Sequence, residues 1–250
     1  MSASRRIQNE PAWLLHHRPF RDSSKILDIL SRNHGRLSLV ARGSRSARSK
    51  LRGILRPFLP LQLSWVIRSD LGTLIGAEMQ SAPIALTGEA LLSGYYLNEL
   101  LLNLLHRHDP QPEIFAIYSE TIAHLAGQPA ISRQLRGFEI DLLRILGYAL
   151  ILDHDTKTRN PLLPDQCYEY LVEQGPVPVS DREGPMIFSG LQLQRIGQQE
   201  FSQPEVLRCA MRLTREVIAH HLAGRELKSR RVLQEIHRQR RRGQSISKDE

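Results

Sequence analysis

An α+β protein, with a small five-stranded barrel at its N-terminus and helices after it, is what the sequence predicts. Three observations carry this. Up to about residue 80, apolar and polar residues alternate at period two between turn signals; from about residue 84 the apolar spacing becomes helical; and positive charge is concentrated in the strand-forming part. The chain has 250 residues and is 41% hydrophobic, enough to bury a real core. The expected division is a barrel domain over 1–80 and a helical domain over 81–242 with an irregular insertion at about 150–190. Residues 243–250 are expected to form a disordered tail.

Taking the elements in order, Trp13-Leu14-Leu15 leads into "HHRPF", and a turn follows at Arg21-Asp22-Ser23-Ser24. "KILDILSR" and "RLSLVARG" both alternate and flank the tight turn Asn33-His34-Gly35, which makes a hairpin. Pro57 and Pro60 bracket a break, and a second hairpin, "LQLSWVIR" with "TLIGAEM", turns over Ser69-Asp70-Leu71-Gly72. Three strands, an insertion and two more strands match a barrel of the OB type, and an SH3-like barrel fits the same pattern nearly as well.

In the second part, "TGEALLSGYYLNELLLNLLHRH" has helical spacing, with Thr87 placed as N-cap and Pro110 and Pro112 just beyond the end. "EIFAIYSETIAHLAG" and "ISRQLRGFEIDLLRILG" repeat the pattern and finish on Gly127 and Gly147, suited to helix C-termini. Residues 153–190 hold five prolines and are expected to be irregular, with short strands at "CYEYLV" and "MIFS". Helical spacing returns in "PEVLRCAMRLTREVIAHHL" and "LKSRRVLQEIHRQRRR".

Net charge is +8, but its distribution is more informative. Residues 1–80 carry +9, residues 81–224 carry −6 and residues 225–250 carry +5. No acid occurs between Asp28 and Asp70, a window that contains nine Lys/Arg. Five of those cations lie within "RGSRSARSKLRG" (42–53), with Arg18, Arg21, Lys25, Arg32 and Arg36 on neighbouring strands. A one-signed field over a compact face attracts a polyanion, and phosphodiester backbone is the commonest. Near these charges only Phe20, Phe58 and Trp65 are available to stack on bases. Phosphate contacts should therefore dominate, with little sequence preference. The serines and glycines of 42–53 point to a flexible contact, and the basic tail from 225 is a second element whose contact with DNA is left open.

Catalytic signatures are missing. The chain has no G-x-G pair, no Gly-Lys of a P-loop, no G-x-S-x-G and no H-E-x-x-H. Asp153, His154 and Asp155 with Cys167 lack metal-knuckle spacing, and Cys209 falls in a helical pattern as a small buried hydrophobe. Two cysteines, the absence of an export signal and the absence of an apolar run of about 18 residues lead us to expect a cytoplasmic protein with no metal and no membrane span.

The order of motifs resembles the bacterial recombination-mediator family RecO. The carrying residues are "AWLLHHRPFRDSSKILDILSRNHGRLSLVARGSRSARSKLRGILRPFLPLQLSW" (12–65), "SGYYLNELLLNLL" (93–105), "LRGFEIDLLRILGY" (135–148) and "LAGRELKSRRVL" (222–233). The resemblance implies an N-terminal OB-fold, a helical domain and no catalytic centre. It also implies binding of single- and double-stranded DNA and annealing of complementary strands. The implied partners are RecR, the acidic C-terminal tail of single-stranded-DNA-binding protein and, indirectly, RecA, beside the nucleoid. Carried over by position, the DNA-binding residues are Arg18, Lys25, Arg36, Arg42, Arg45, Arg48, Lys50 and Arg52. Arg133, Arg136 and Arg144 are expected at the rim of an apolar groove for the acidic tail. Many members of the family carry a four-cysteine zinc knuckle after "LGY". Here "ALILDHDTKTRNPLLPDQCYEYL" holds only Cys167, so no cofactor, and zinc in particular, is expected. An RNA-binding or ribosome-associated OB protein is the alternative reading, because the barrel and its charge would look similar.

Overall fold

The computed structural model describes residues 5–127, 130–180, 183–229, 231–232 and 235. The expected tail at 243–250 and most of the terminal basic segment lie outside the described residues. Five strands, β1 (Arg5–Phe20), β2 (Ser24–Ser31), β3 (Gly35–Ala41), β4 (Leu61–Ile67) and β5 (Leu71–Met79), close a barrel in the order β1-β2-β3-β5-β4. Antiparallel pairs make up the barrel except at β3 and β5, which run parallel over Ser38–Val40 and Leu71–Thr73. This five-stranded closure is the OB arrangement.

β1 begins eight residues before the expected Trp13, because it serves two neighbours. Its first half pairs with β4 (Arg5 with Ile67, Ala12 with Leu61) and its second half with β2 (Ala12 with Ser31, Phe20 with Ser24). Register shifts at Ile7/Glu10 and Leu14/His16 bend the strand around the barrel, as bulges do. The polar run "RRIQNEP" hides the strand from a period-two search. Inside, Leu14, Leu27, Ile29, Leu37, Leu39, Leu61, Leu63 and Trp65 fill the core.

Helices α1 (Gly88–Leu104) and α2 (Pro112–Gly127) group with the barrel in one compact unit, together with residues from Leu227 onward; residues 128–226 form the second unit. The compact grouping thus does not follow the strand-to-helix change at 81. Trp13 explains why. Its ring meets Tyr118 edge-on at 5.6 Å and its Nε1 donates to Ser119 Oγ at 2.8 Å. Asn98 Nδ2 donates to the Leu15 carbonyl, and Tyr118 Oη donates to Asn98 Oδ1. Burying these polar groups is tolerable because each is paired. Glu99 on α1 accepts from the backbone N–H of Lys228 and Ser229 and from Ser229 Oγ, which fastens these two residues to this unit. Thr87 is extended but its side chain makes no capping bond; Gly88, at φ +53°, takes the chain into α1.

The second unit contains α3 (Ile131–Ile145), α4 (Gly190–Gly197), α5 (Pro204–His221) and a sheet in the order β7-β6-β8. β6 (Cys167–Leu171) and β8 (Ile187–Ser189) fall where "CYEYLV" and "MIFS" place them. β7 (Gly175–Val179) was hidden by Pro176 and Pro178, tolerated because it is an edge strand. α4 was also missed, although Ser189 and Gln192 form a reciprocal capping box. Gly147 ends α3 as expected, at φ +84°, with Tyr148 N–H returning to the Leu143 carbonyl. Among the described residues, no helix is long and apolar enough to cross a membrane.

Candidate nucleic-acid interface

The basic connection between β3 and β4 is pinned to the barrel. Leu55 and Leu59 belong to the core, and Leu51 and Ile54 pack against it from the loop. Positions 51, 54 and 55 thus face inward at helical spacing, and a single 3₁₀ turn at Lys50–Arg52, with Ser49 Oγ accepting from Leu51 N–H, sets that spacing. Nearer β3, Ser44 Oγ donates to the Ala41 carbonyl. Arg45 donates its N–H to the Ser23 carbonyl (2.9 Å) and its Nη1 to the Arg21 carbonyl (3.1 Å), joining the loop to the β1–β2 turn. The flexible contact expected from Ser and Gly content is therefore corrected. Aliphatic anchors at Leu51, Ile54, Leu55 and Leu59 hold the backbone while Arg42, Arg48, Lys50 and Arg52 remain exposed.

Other expected cations join this end of the barrel. Lys25 is half-buried at the open end of the β2–β3 hairpin, opposite both Pro19 and Ala41. Arg18 is exposed on the outer face opposite Ile26. Arg21 completes the group, its guanidinium 5.2 Å from the centre of the Phe20 ring, a cation–π contact. Among the described residues, none of these cations has a carboxylate within ion-pair distance. Their field is left uncompensated for a polyanion.

Arg36 does not join them. It sits five residues from Ala41 along β3, about 17 Å at the usual strand rise. Its Nη1 donates to the Leu102 carbonyl of α1. Burial first, and Arg107 second, lower the basicity of its guanidinium.

The aromatic expectation is narrowed as well. Phe58 is buried and packs edge-on against Tyr95 at 5.2 Å. Trp65 lies in the barrel core with His34 edge-on to it at 5.5 Å. Of the three rings near the charges, Phe20 alone is part-exposed and free to meet a base. Its positively capped face favours contact with an anionic backbone.

In the second unit, Arg133 is exposed, and Arg144 is exposed with its Nε 3.7 Å from Asp141 Oδ1. Arg136 does not stand at a rim. It is 8% exposed and pairs at 2.5 Å with Glu139, which is 1% exposed and also accepts from Thr214 Oγ1. At position 136 the guanidinium balances a buried charge in the α3–α5 packing. A cavity of about 720 Å³ opens elsewhere in this unit, between β8, α4 and α5. Ile187, Phe188 and Met211 supply its apolar wall, Arg208 and Arg212 its cations and Glu183 and Glu205 its acids; the Arg212 guanidinium lies 4.4 Å over the Phe188 ring.

The stretch that would correspond to a zinc knuckle is held by other means. Tyr168 Oη accepts from Leu163 N–H and Tyr170 Oη from Ile151 N–H. Burial pushes the Tyr170 hydroxyl up to about 12, keeping it neutral. Asp155 accepts from the N–H groups of Lys157 and Thr158 and from Thr158 Oγ1, which holds its carboxyl below the usual carboxylate range. His154 turns its Nδ1 to Asp153 Oδ1 at 2.7 Å. These donors are occupied in closing their own loop, and among the described residues no three His, Cys, Asp or Glu side chains gather as a metal would need.

Comparison with known proteins agrees with this architecture. A family model described as the N-terminal part of recombination protein O matches residues 5–82, and one for its C-terminal part matches residues 85–231. The chain is 41% identical over 240 residues to the DNA repair protein RecO of Dechloromonas aromatica, covering 94% of this chain and 99% of that one. It is 42% identical over 242 residues to the RecO of Azoarcus sp. strain BH72, with the same coverage. Against the RecO of Nitrosococcus oceani the identity is 41% over 235 residues, covering 93% and 95%. With both halves matched in order on an OB barrel and its following helices, the chain belongs to the RecO family of DNA repair and recombination proteins.

Proposed function

We propose that the chain is a non-enzymatic mediator that binds single- and double-stranded DNA and anneals complementary strands. With RecR it helps load RecA onto strands coated by single-stranded-DNA-binding protein, in the cytoplasm beside the nucleoid. The observation that carries this reading is the pinned loop at 42–53, which holds Arg42, Arg48, Lys50 and Arg52 outward next to Arg18, Arg21 and Lys25; Asp22 stands in the same turn, but among the described residues no carboxylate lies within ion-pair distance of these cations. Rigidly presented cations release counterions from a phosphate backbone at little ordering cost.

For the acidic tail of single-stranded-DNA-binding protein, the requirement is an apolar groove with cations beside it. The cavity with Ile187, Phe188, Met211, Arg208 and Arg212 offers apolar wall and cations together, though Glu183 and Glu205 also line it, whereas buried Arg136 stands at no groove. Arg133 is exposed on α3, and Arg144 is exposed there beside Asp141. The test is annealing of DNA precoated with single-stranded-DNA-binding protein, with and without that protein's C-terminal tail. Annealing should proceed on the intact coat and collapse on the truncated one. Equal rates on both would remove the partner contact from the reading. Preference for RNA over DNA in direct competition would favour the ribosome-associated alternative.

Zinc has no part in this proposal. Only Cys167 stands where a four-cysteine knuckle would need its ligands, and the tyrosine and Asp155 bonds close the same region. Elemental analysis of purified protein should find zinc far below one ion per chain, and chelator should leave the melting temperature unchanged. Stoichiometric zinc overturns this part.

A further inference from the structure

We infer that the barrel carries a second phosphate-binding surface, at the turn end of the β2–β3 hairpin, that takes a second DNA strand while the 42–53 loop holds the first. This rests on the reading of the chain as a DNA-annealing protein.

The residues involved are Arg5, Arg32, His34, Arg36 and Arg107, all in the first compact unit. The hairpin turn butts against the segment joining α1 to α2. His108 N–H donates to the Arg36 carbonyl at 2.9 Å, Arg36 and Arg107 are bridge partners, and a Cβ at Gly35 would lie 2.1 Å from the Asp109 carbonyl oxygen. Two arginines are thereby fixed side by side. Burial first, and the neighbouring charge of Arg107 second, lower the basicity of the Arg36 guanidinium, while Asp28 acts the other way. Burial pushes the His34 imidazole down; Glu10 acts against this and Arg5 adds to it.

Acids at this end offset the cations only in part, Glu10 acting on His34 and Asp28 on Arg36. Glu10, the nearest buried carboxylate, is used internally: it accepts from Ser31 Oγ (2.8 Å), Asn33 N–H (2.7 Å) and Asn33 Nδ2 (3.1 Å). Asp109 accepts from Gln111 Nε2. Among the described residues no carboxylate lies within ion-pair distance of Arg5, Arg32, Arg36 or Arg107. An arrangement that costs repulsion in the free protein is relieved by a polyanion.

Two surfaces follow, rather than one track, from what lies between them. Lys25–Ala41 closes one end of the hairpin and Ser31–Gly35 the other, about 20 Å apart at the usual rise per residue. The outer row between these ends passes through Asp28, which accepts from Ser38 Oγ at 2.6 Å and would repel a phosphate. Beyond it, Leu30 and its cross-strand neighbour Trp13 are buried, with Trp13 bonded to Ser119 of α2. A strand lying on the hairpin face would meet a carboxylate and then a helix. Two strands, one at each end, meet neither.

The experiment uses the full chain with two short, non-complementary single strands carrying a donor and an acceptor dye, and weighs the complexes in solution. One chain should hold both strands and bring the dyes into energy transfer. The Arg32→Glu/Arg107→Glu variant should lose about tenfold or more in second-strand affinity and in annealing rate of complementary strands, and should keep first-strand affinity within about twofold. Arg48→Glu/Arg52→Glu should do the reverse to the first strand. Arg107→Gln alone, at an exposed position, should show the same selectivity at smaller size. A single strand per chain in the unmodified protein, or an equal loss at both strands in the Arg32/Arg107 variant, overturns the inference. Absence of any DNA binding by the unmodified chain would sink the functional reading too. Normal binding and annealing with an inert Arg32/Arg107 pair sinks the second surface alone.

Discussion

Replacing Arg45, Arg48 and Lys50 together with alanine should weaken single-stranded DNA binding by about tenfold or more at low salt, with the difference shrinking as salt rises. Each phosphate contact on a single strand contributes roughly 0.7 to the slope of log affinity against log salt. Removing three therefore makes the slope shallower by about two. Arg48 and Lys50 act only as exposed charges. Arg45 also braces the loop through the Arg21 and Ser23 carbonyls, the latter through its backbone, which alanine retains. Arg45→Ala alone should consequently cost more than Arg48→Ala alone. Fluorescence anisotropy titrations at several salt concentrations give the slope directly, and an unchanged slope for the triple variant removes the 42–53 loop from the interface.

Glu139→Ala should destabilise the second unit by roughly 3–5 kcal/mol. The substitution strands the Arg136 guanidinium in the α3–α5 packing and removes the acceptor of Thr214 Oγ1. Arg136→Met combined with Glu139→Leu should recover most of that loss, since well-packed apolar pairs commonly match buried ion pairs. Urea midpoints of the two variants measure this. If Glu139→Ala unfolds at the unmodified midpoint, the pair carries no structural weight and Arg136 becomes available again as a binding residue.

Much of the barrel was legible because Leu27, Ile29, Leu37 and Leu39 alternate with Asp28 and Ser38, although both faces of β2 and β3 are largely buried. Where a segment does two jobs, the pattern failed. β1 changes partners midway and spends two bulges in doing so, which breaks its periodicity. β7 reads as a proline-rich loop because an edge strand needs few of its N–H groups. α4 had a readable signal in the Ser189/Gln192 spacing.

The candidate site shows the same division. Charge density marked 42–53 as a basic run, and Arg42, Arg48, Lys50 and Arg52 are exposed there, but sequence separation hid the turn with Asp22 that Arg45 is bonded to. Composition could not separate Arg36 from the rest, since only tertiary contact with Leu102 and Arg107 distinguishes it. Nor could it show that Arg136 faces inward, because an i,i+3 partner at Glu139 looks the same on either face of a helix. Leu51, Ile54 and Leu55 were the overlooked signal in the loop: three aliphatics at helical spacing inside a basic run mean a bound backbone, not a free one.

The bonds from Glu99 to Lys228 and Ser229 bear on how the chain is made. The first compact unit is built from residues up to 127 and resumes at 227, so the 99 residues of the second unit are an insertion within it. During synthesis at about 5–20 residues per second, the barrel and α2 leave the ribosome roughly 5–20 s before their last partner exists. Throughout that interval Glu99 waits without the amides it will bind. The unit whose strands emerge first is therefore completed only after all 99 residues of the second unit have been made.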